Sequence, residues 1–192
     1  MKDTKEQSIE DLYVDQLRDL YDGERQIIKA LPKMIRAASS DQLKAALNEH
    51  LEVTKDQEQR IVQIFEGRGE KTKAQKCKGM AGVLEEGSEL LEEGWEEAVR
   101  DAAIITAAQR VEHYEMAGYG TARTLAILLG EEEAAELLEK TLGEEKEADQ
   151  KLTELSEEIN KEAYSQGEGH ASGKEPGRDA RKETSSRKKN VA

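Results

Sequence analysis

From about Glu96 to Leu129 the chain runs without a proline along the stripe Ile104, Ala108, Val111, Glu115, Gly118, Ala122, Leu125. The steps alternate between four and three, the spacing of one buried face of a long helix. A glutamate occupies the middle of that face. Glu112 lies one turn earlier and about 60° around the axis, so both carboxylates can look the same way. An unpaired buried carboxylate costs several kcal/mol, so it must be protonated, paired with a cation or bound to metal. Any fold for this chain has to bring something to that face.

The rest of the sequence repeats the pattern. A first helix is expected over 8–38, opened by Ser8 and Asp11 as a capping pair, with the stripe Tyr13, Leu17, Leu20, Glu24, Ile27, Leu31, Met34. Pro32 removes one donor from it and is expected to bend it. Ser39-Ser40-Asp41 is a break so short that the second helix, 41–66, must return antiparallel to the first. Its stripe is Leu43, Leu47, His50, Thr54, Gln57, Ile61, Ile64. A basic irregular connection over 67–80 contains Cys77 and leads to a short helix over 81–93, after which Gly94-Trp95 turns the chain, with Trp95 as an anchor. Gly130 separates the third long helix from a fourth over 131–163, whose stripe is Leu138, Leu142, Glu145, then Asp149 or Ala148, Leu152, Leu155, Ile159.

Composition agrees with an all-α reading: two prolines, 4% aromatics and an abundance of Ala, Leu, Glu and Lys. The long crossover between two antiparallel helix pairs makes the expected architecture a ferritin-like four-helix bundle with a short fifth helix on the crossover. The bundle is expected over 1–164, with 1–7 frayed, and 165–192 is expected to be a disordered basic tail. The tail carries seven Lys/Arg against four Asp/Glu; with −13 overall, the remainder is near −16. So acidic a body excludes nucleic acid as its partner and draws cations to any carboxylate-lined site. The expected setting is the cytoplasm: no apolar run approaches the ~20 residues of a membrane span, and one cysteine allows no internal disulfide framework.

Each long helix thus brings a candidate ligand to its buried face: Glu24, His50, Glu112 with Glu115, and Glu145 with Asp149. Counted from Gly130, Glu115 and Glu145 are each fifteen residues away and should face each other. A single buried glutamate is ordinarily a boundary residue reaching for solvent or an arginine, and chance supplies one or two in so acidic a chain. One on every helix, with apolar neighbours on both sides, reads instead as a dinuclear metal centre. Carboxylate and imidazole donors suit iron or manganese, and the lack of cysteine ligands excludes an iron–sulfur cluster. His113 falls off the stripe. Tyr21, Tyr114 and Tyr119 read mainly as packing residues, although a tyrosine beside such a centre could donate a hydrogen bond.

Leu20-Tyr-Asp-Gly-Glu-Arg-Gln26, His50-Leu-Glu-Val-Thr54, Lys76-Cys-Lys78, Val111-Glu-His-Tyr-Glu115, Gly118-Tyr-Gly-Thr121 and Glu144-Glu-Lys-Glu-Ala-Asp149 together resemble the ferritin-like stress-protein family typified by YciE and YciF. The resemblance spans about 8–160 and implies a rubrerythrin-like five-helix fold, a homodimer and a di-metal centre, but no defined reaction. The Glu112-x-x-Glu115 pair is similar to the third-helix ligand pair of rubrerythrins. Where the family carries a second glutamate after His-Leu-Glu, this chain has Val53; were that glutamate a ligand, this chain would be one short. The last helix also lacks a Glu-x-x-His pair, with Asp149 as the substitute.

Two functions remain open at this level. One is a stress-response protein whose iron or manganese handles peroxide, dioxygen or iron. The other is a non-catalytic structural or interaction protein whose buried acids are protonated, or paired with Arg25, Arg110 or Lys146.

Overall fold

The computed structural model describes residues 8–171, with side chains through residue 166. It contains α1 (Ile9–Ala37), α2 (Asp41–Gly67), α3 (Lys78–Glu92), α4 (Glu97–Leu129) and α5 (Glu132–Ala171), and no strand among the described residues. α1, α2, α5 and α4 form a closed four-helix ring by packing each against the next, and α3 lies outside against α1 and α4.

Local chemistry sets the boundaries. Ser8 and Asp11 close a reciprocal capping box at the start of α1, and Ser40 caps α2. α1 continues across Pro32 as one helix. Gly130, at φ +76°, ends α4 in the left-handed region that glycine enters without steric cost. The start of α4 is tied to the α1–α2 turn. Buried Asp101 accepts the backbone N–H groups of Ser39 and Ser40 at 2.7 Å each, and Arg100 donates to the carbonyl of Ala37 at 2.9 Å. α2 therefore ends at one end of the bundle while α4 starts at the other, and the connection between them crosses its full length, the ferritin-like topology.

Three differences from expectation have physical causes. α3 begins at Lys78 rather than 81, because Cys77 serves as its N-cap, its Sγ accepting from Met80 N–H at 3.3 Å. The connection before it is pinned to α1: Cys77 N–H donates to Asp22 at 2.9 Å and Gln26 donates to the Cys77 carbonyl at 3.0 Å. Trp95 does not anchor α4; it is 41% exposed at a turn where Gly94 has φ +70°. α5 runs to Ala171, so the first residues assigned to the basic tail are helical. The expectations for 1–7 and for the tail beyond 171 lie outside the described residues.

The interior divides into two apolar clusters. One gathers Tyr13, Leu17, Phe65, Tyr119 and Leu138 near the α2–α3 and α4–α5 ends. The other gathers Ile27, Leu31, Leu47, Met80, Ile104 and Val111 beneath α3. Between them lies a polar layer.

Candidate metal centre

The polar layer is built from one or two residues of each helix in the ring. Glu24 and Glu145 are fully buried, and Glu112 and Glu115 are each 2% exposed. His50 enters from α2 with its side chain 11% exposed, its Nε2 3.4 Å from Glu112 Oε1. Donor atoms of His50, Glu112, Glu115 and Glu145 all lie within 4.8 Å of one another. That spread is near the ~4 Å that separates opposite oxygen donors around one small divalent ion. Glu24 joins the group beside Glu115, and Glu112 stands beside Glu145.

Electrostatics follows from burial and crowding. Loss of water raises Glu24, Glu112 and Glu115 well above the ordinary carboxylate range, and repulsion from neighbouring carboxylates, Glu145 in every case, adds to the rise. Burial also raises Glu145, less strongly, because hydrogen bonds from Glu112 and Gln57 favour its anion. Burial drives His50 down to about 4, so at neutral pH its imidazole is uncharged and free to donate a lone pair.

Asp149 stands outside this cluster. Its Oδ1 accepts from Gln109 Nε2 at 3.0 Å and lies 3.4 Å from Nε2 of exposed His113. Of the two residues that could follow Glu145 along the stripe, it is Ala148 that lines the cavity beside His50. The residues offered as neutralising cations do not reach the layer either. Arg25 lies 3.7 Å from Glu58, Arg110 lies 2.8 Å from Glu86, and Lys146 is exposed. Val53 lines a groove of about 270 Å³ between α2 and α5, together with His50, Glu144 and Glu147.

Two supports flank the layer, Gln57 legible in the sequence only as a stripe position and Tyr119 mainly as a packing residue. Gln57, fully buried, donates through Nε2 to Glu145, and to Glu144 at 3.2 Å. Arg60 holds Glu144 in turn, with Nη2 2.7 Å from Oε1, and donates to Thr141 at 3.0 Å. This Arg60–Glu144–Gln57 chain orients Glu145. On the opposite side Tyr119, fully buried, donates its hydroxyl to Glu24. Gln57 carries a readable signal, since it shares the stripe of His50 two turns on. Tyr119 sits one residue past the Gly118 of the α4 stripe, where packing alone explains an aromatic residue. The close approach there is set by Gly118, where a Cβ would come 2.8 Å from Leu20 Cδ2.

A second, smaller polar cluster pins α3. Cys77 Sγ donates to Asp19 at 2.9 Å and lies 3.3 Å from the Tyr114 hydroxyl. Burial and then the Asp19 contact raise the thiol, so it stays protonated. Gly79 is required beneath Tyr114, because a Cβ there would lie 2.3 Å from its hydroxyl.

Comparisons with known proteins give one consistent frame. Residues 8–164 match the family described as a domain of unknown function, DUF892. Protein YciF of Escherichia coli K12 is 48% identical over 158 residues, covering 81% of this chain and 95% of that protein. The crystal structure of the E. coli stress protein YciF superposes with a TM-score of 0.78 at 46% identity, covering 81% of this chain and 98% of that one. "YcfI, a putative structural protein from Rhodopseudomonas palustris" superposes at 0.76 with 41% identity, covering 80% of this chain and 98% of that one.

Proposed function

We infer the function of this chain from its site, because the chain belongs to the DUF892 family, whose description as a domain of unknown function carries no reaction. The polar layer is a dinuclear centre for iron or manganese in a stress-response protein of the YciF kind. One observation carries this reading. Glu24 Oε2, Glu112 Oε2, Glu115 Oε2, Glu145 Oε2 and His50 Nε2 are all buried without a hydrogen-bond partner. Buried polar atoms are ordinarily satisfied, and five orphaned lone-pair donors in one layer fit cations held among them.

Glu24, Glu112, Glu115, Glu145 and His50 would hold the metal, and Asp149 is not needed. When bound, iron or manganese supplies one-electron redox chemistry toward dioxygen or peroxide. The chain's own residues do the rest. Gln57 and Tyr119 orient Glu145 and Glu24 by donating to them, and the two apolar clusters exclude water above and below the layer. Binding displaces the protons that the crowded carboxylates otherwise retain. Elemental analysis after anaerobic loading with Fe(II) or Mn(II) tests this reading: about two ions per chain is the expected result, and none sinks it.

A structural role is the second reading. The closeness of Glu24 to Glu115 and of Glu112 to Glu145 favours it, because neutral acids can pair in this way without any metal. The description of the Rhodopseudomonas relative as structural points in the same direction. Its signature would be a melting temperature indifferent to chelator and to added metal.

A homodimer in the cytoplasm completes the proposal. Among the described residues no helix is long and apolar enough to cross a membrane. Ile9, Leu12, Ile127 and Leu128 are exposed at the start of α1 and the end of α4, and a second copy would cover them. Sedimentation equilibrium checks this, and a monomer at micromolar concentration removes it.

A further inference from the structure

The polar layer has two different approaches. One is the groove between α2 and α5, where Glu49, Glu144, Glu147 and Lys151 stand beside His50 and which shares Ala46, His50 and Ala148 with the inner cavity. The other lies on the opposite side, beneath α3, and is apolar. An inner cavity of about 30 Å³ reaches His50 and Glu112 between Ile27, Leu31 and Ala108. An outer cavity of about 110 Å³ lies between Val83, Leu91 and Ala107. The two share Ala30, Met34, Leu84 and Val111 as common walls.

We propose that these adjoining cavities are a binding site and passage for dioxygen, entering beneath α3 and ending at His50 and Glu112. The inference deepens the metal reading by naming the co-reactant that reaches the layer, and rests on that reading only for the purpose of the passage.

Size and polarity select the ligand. A void needs roughly 10–15 Å³ to hold one water, so the inner cavity has room for a diatomic molecule but for little more. A water or a peroxide would also need two to four polar partners, and the walls between the two ends offer none. At the outer end Lys33 Nζ and Ser88 Oγ already bond each other at 2.7 Å, closing α1 to α3 with their polar groups engaged. Metal cations and peroxide would be stripped of water on this side without compensation, whereas an uncharged apolar gas is not penalised. The inner end is different: buried Glu112 and His50 each present an unpartnered atom there.

Side-chain size creates the space. Ala30 lines both cavities, Ala107 the outer one and Ala108 the inner one, where the other half of the bundle fills its interior with Tyr13, Phe65 and Tyr119. Gly87 lets α3 sit close over α4, a Cβ there falling 3.1 Å from that of Ala107.

Methyl NMR of the metal-free full-length chain under raised oxygen pressure tests the site with dioxygen itself. Paramagnetic relaxation of the buried Met34 and Val111 methyls should rise severalfold above that of Leu17 and Leu138, buried in the other half. Ala30→Phe should abolish the difference while leaving Leu17 and Leu138 unchanged. Leu84→Trp, at a half-buried position on α3, should do the same and guards against misfolding of the first variant. Equal relaxation in the two halves, or enhancement that survives both filling substitutions, would overturn the proposal. Because no metal is present, a failure of the metal reading cannot imitate either result.

Discussion

The two halves of the bundle interior are packed on opposite plans. On the side of the α4–α5 turn, Tyr13, Phe65 and Tyr119 have no exposed surface and fill the space between four helices. On the side of α3 the core is aliphatic, and cavities lined in part by Ala30, Ala107 and Ala108 remain beside the carboxylate layer. Close packing is the default of protein interiors. A half that departs from it next to a layer of crowded acids has given up packing energy where access matters. The filled half is the scaffold against which Glu24 is held, through Tyr119. The looser half is where small molecules can arrive.

That contrast should appear first in stability. Phe65→Ala, in the filled half, is expected to cost about 3–5 kcal/mol in denaturant unfolding. Leu84→Ala, half-buried and already beside empty space, should cost under ~2 kcal/mol, since less contact is lost. Equal costs would break the comparison.

The carboxylate layer comes next. Glu115→Gln should leave the metal-free protein as stable as before or more so, because a neutral amide relieves crowding among acids. The same variant should lose the stabilisation that metal confers, ~2.7 kcal/mol at a metal concentration one hundred times Kd. Thermal melts with chelator and with added Mn(II) measure both effects. Loss of stability equal under both conditions would falsify Glu115 as a ligand.

The pH dependence of the metal-free chain has a definite sign. Glu24, Glu112, Glu115 and Glu145 have folded pKa values raised above 4.5, so the native state keeps protons that the unfolded chain releases. Stability from these groups is complete below their unfolded pKa and is lost as pH rises toward the folded values. His50, depressed from 6.5 to about 4, acts oppositely, its contribution being lost as pH falls through that window. Above pH 6.5 only the carboxylate effect remains, so the apo melting temperature should decline from there toward pH 8. Metal affinity should increase over the same range, as proton competition weakens. An apo stability that rises with pH across this window would contradict the burial of the four acids.

The smallest effect concerns the pin under α3. Cys77→Ala removes an N-cap and the contacts to Asp19 and Tyr114, at an expected cost of about 0.5–2 kcal/mol. Cys77→Ser keeps a capping oxygen and should cost less than the alanine change. Urea unfolding of the two variants ranks them, and the reverse order would exclude the capping role.

Most of the candidate site was legible in the stripes. Glu24, His50, Glu115 and Glu145 interrupt apolar runs at four- and three-residue steps, and Glu112 lies a turn from Glu115; all five reach the layer. A residue four past Glu145 is rotated about 40° from it, enough on a half-buried face for Asp149 to reach Gln109 and His113. Arg60 and Glu144 gave no warning, since each looks like one more charge on a solvated helix until the other is seen opposite. Cys77 carries no cap signal of its own, because thiols are poor acceptors beside Ser, Thr, Asp and Asn, and its position is set by Asp22 and Gln26 fifty-odd residues earlier.

Helix existence, helix order, the antiparallel pairs and the residues of the buried faces were determined by the sequence alone, because periodicity, caps and glycine stops act within a turn or two of the chain. The tertiary structure decided which buried acids share protons, which cation supports which carboxylate, and where space is left unfilled. Those outcomes depend on rotation about helix axes and on the reach of side chains between helices. Both are set by packing across the bundle, beyond the range of any local pattern.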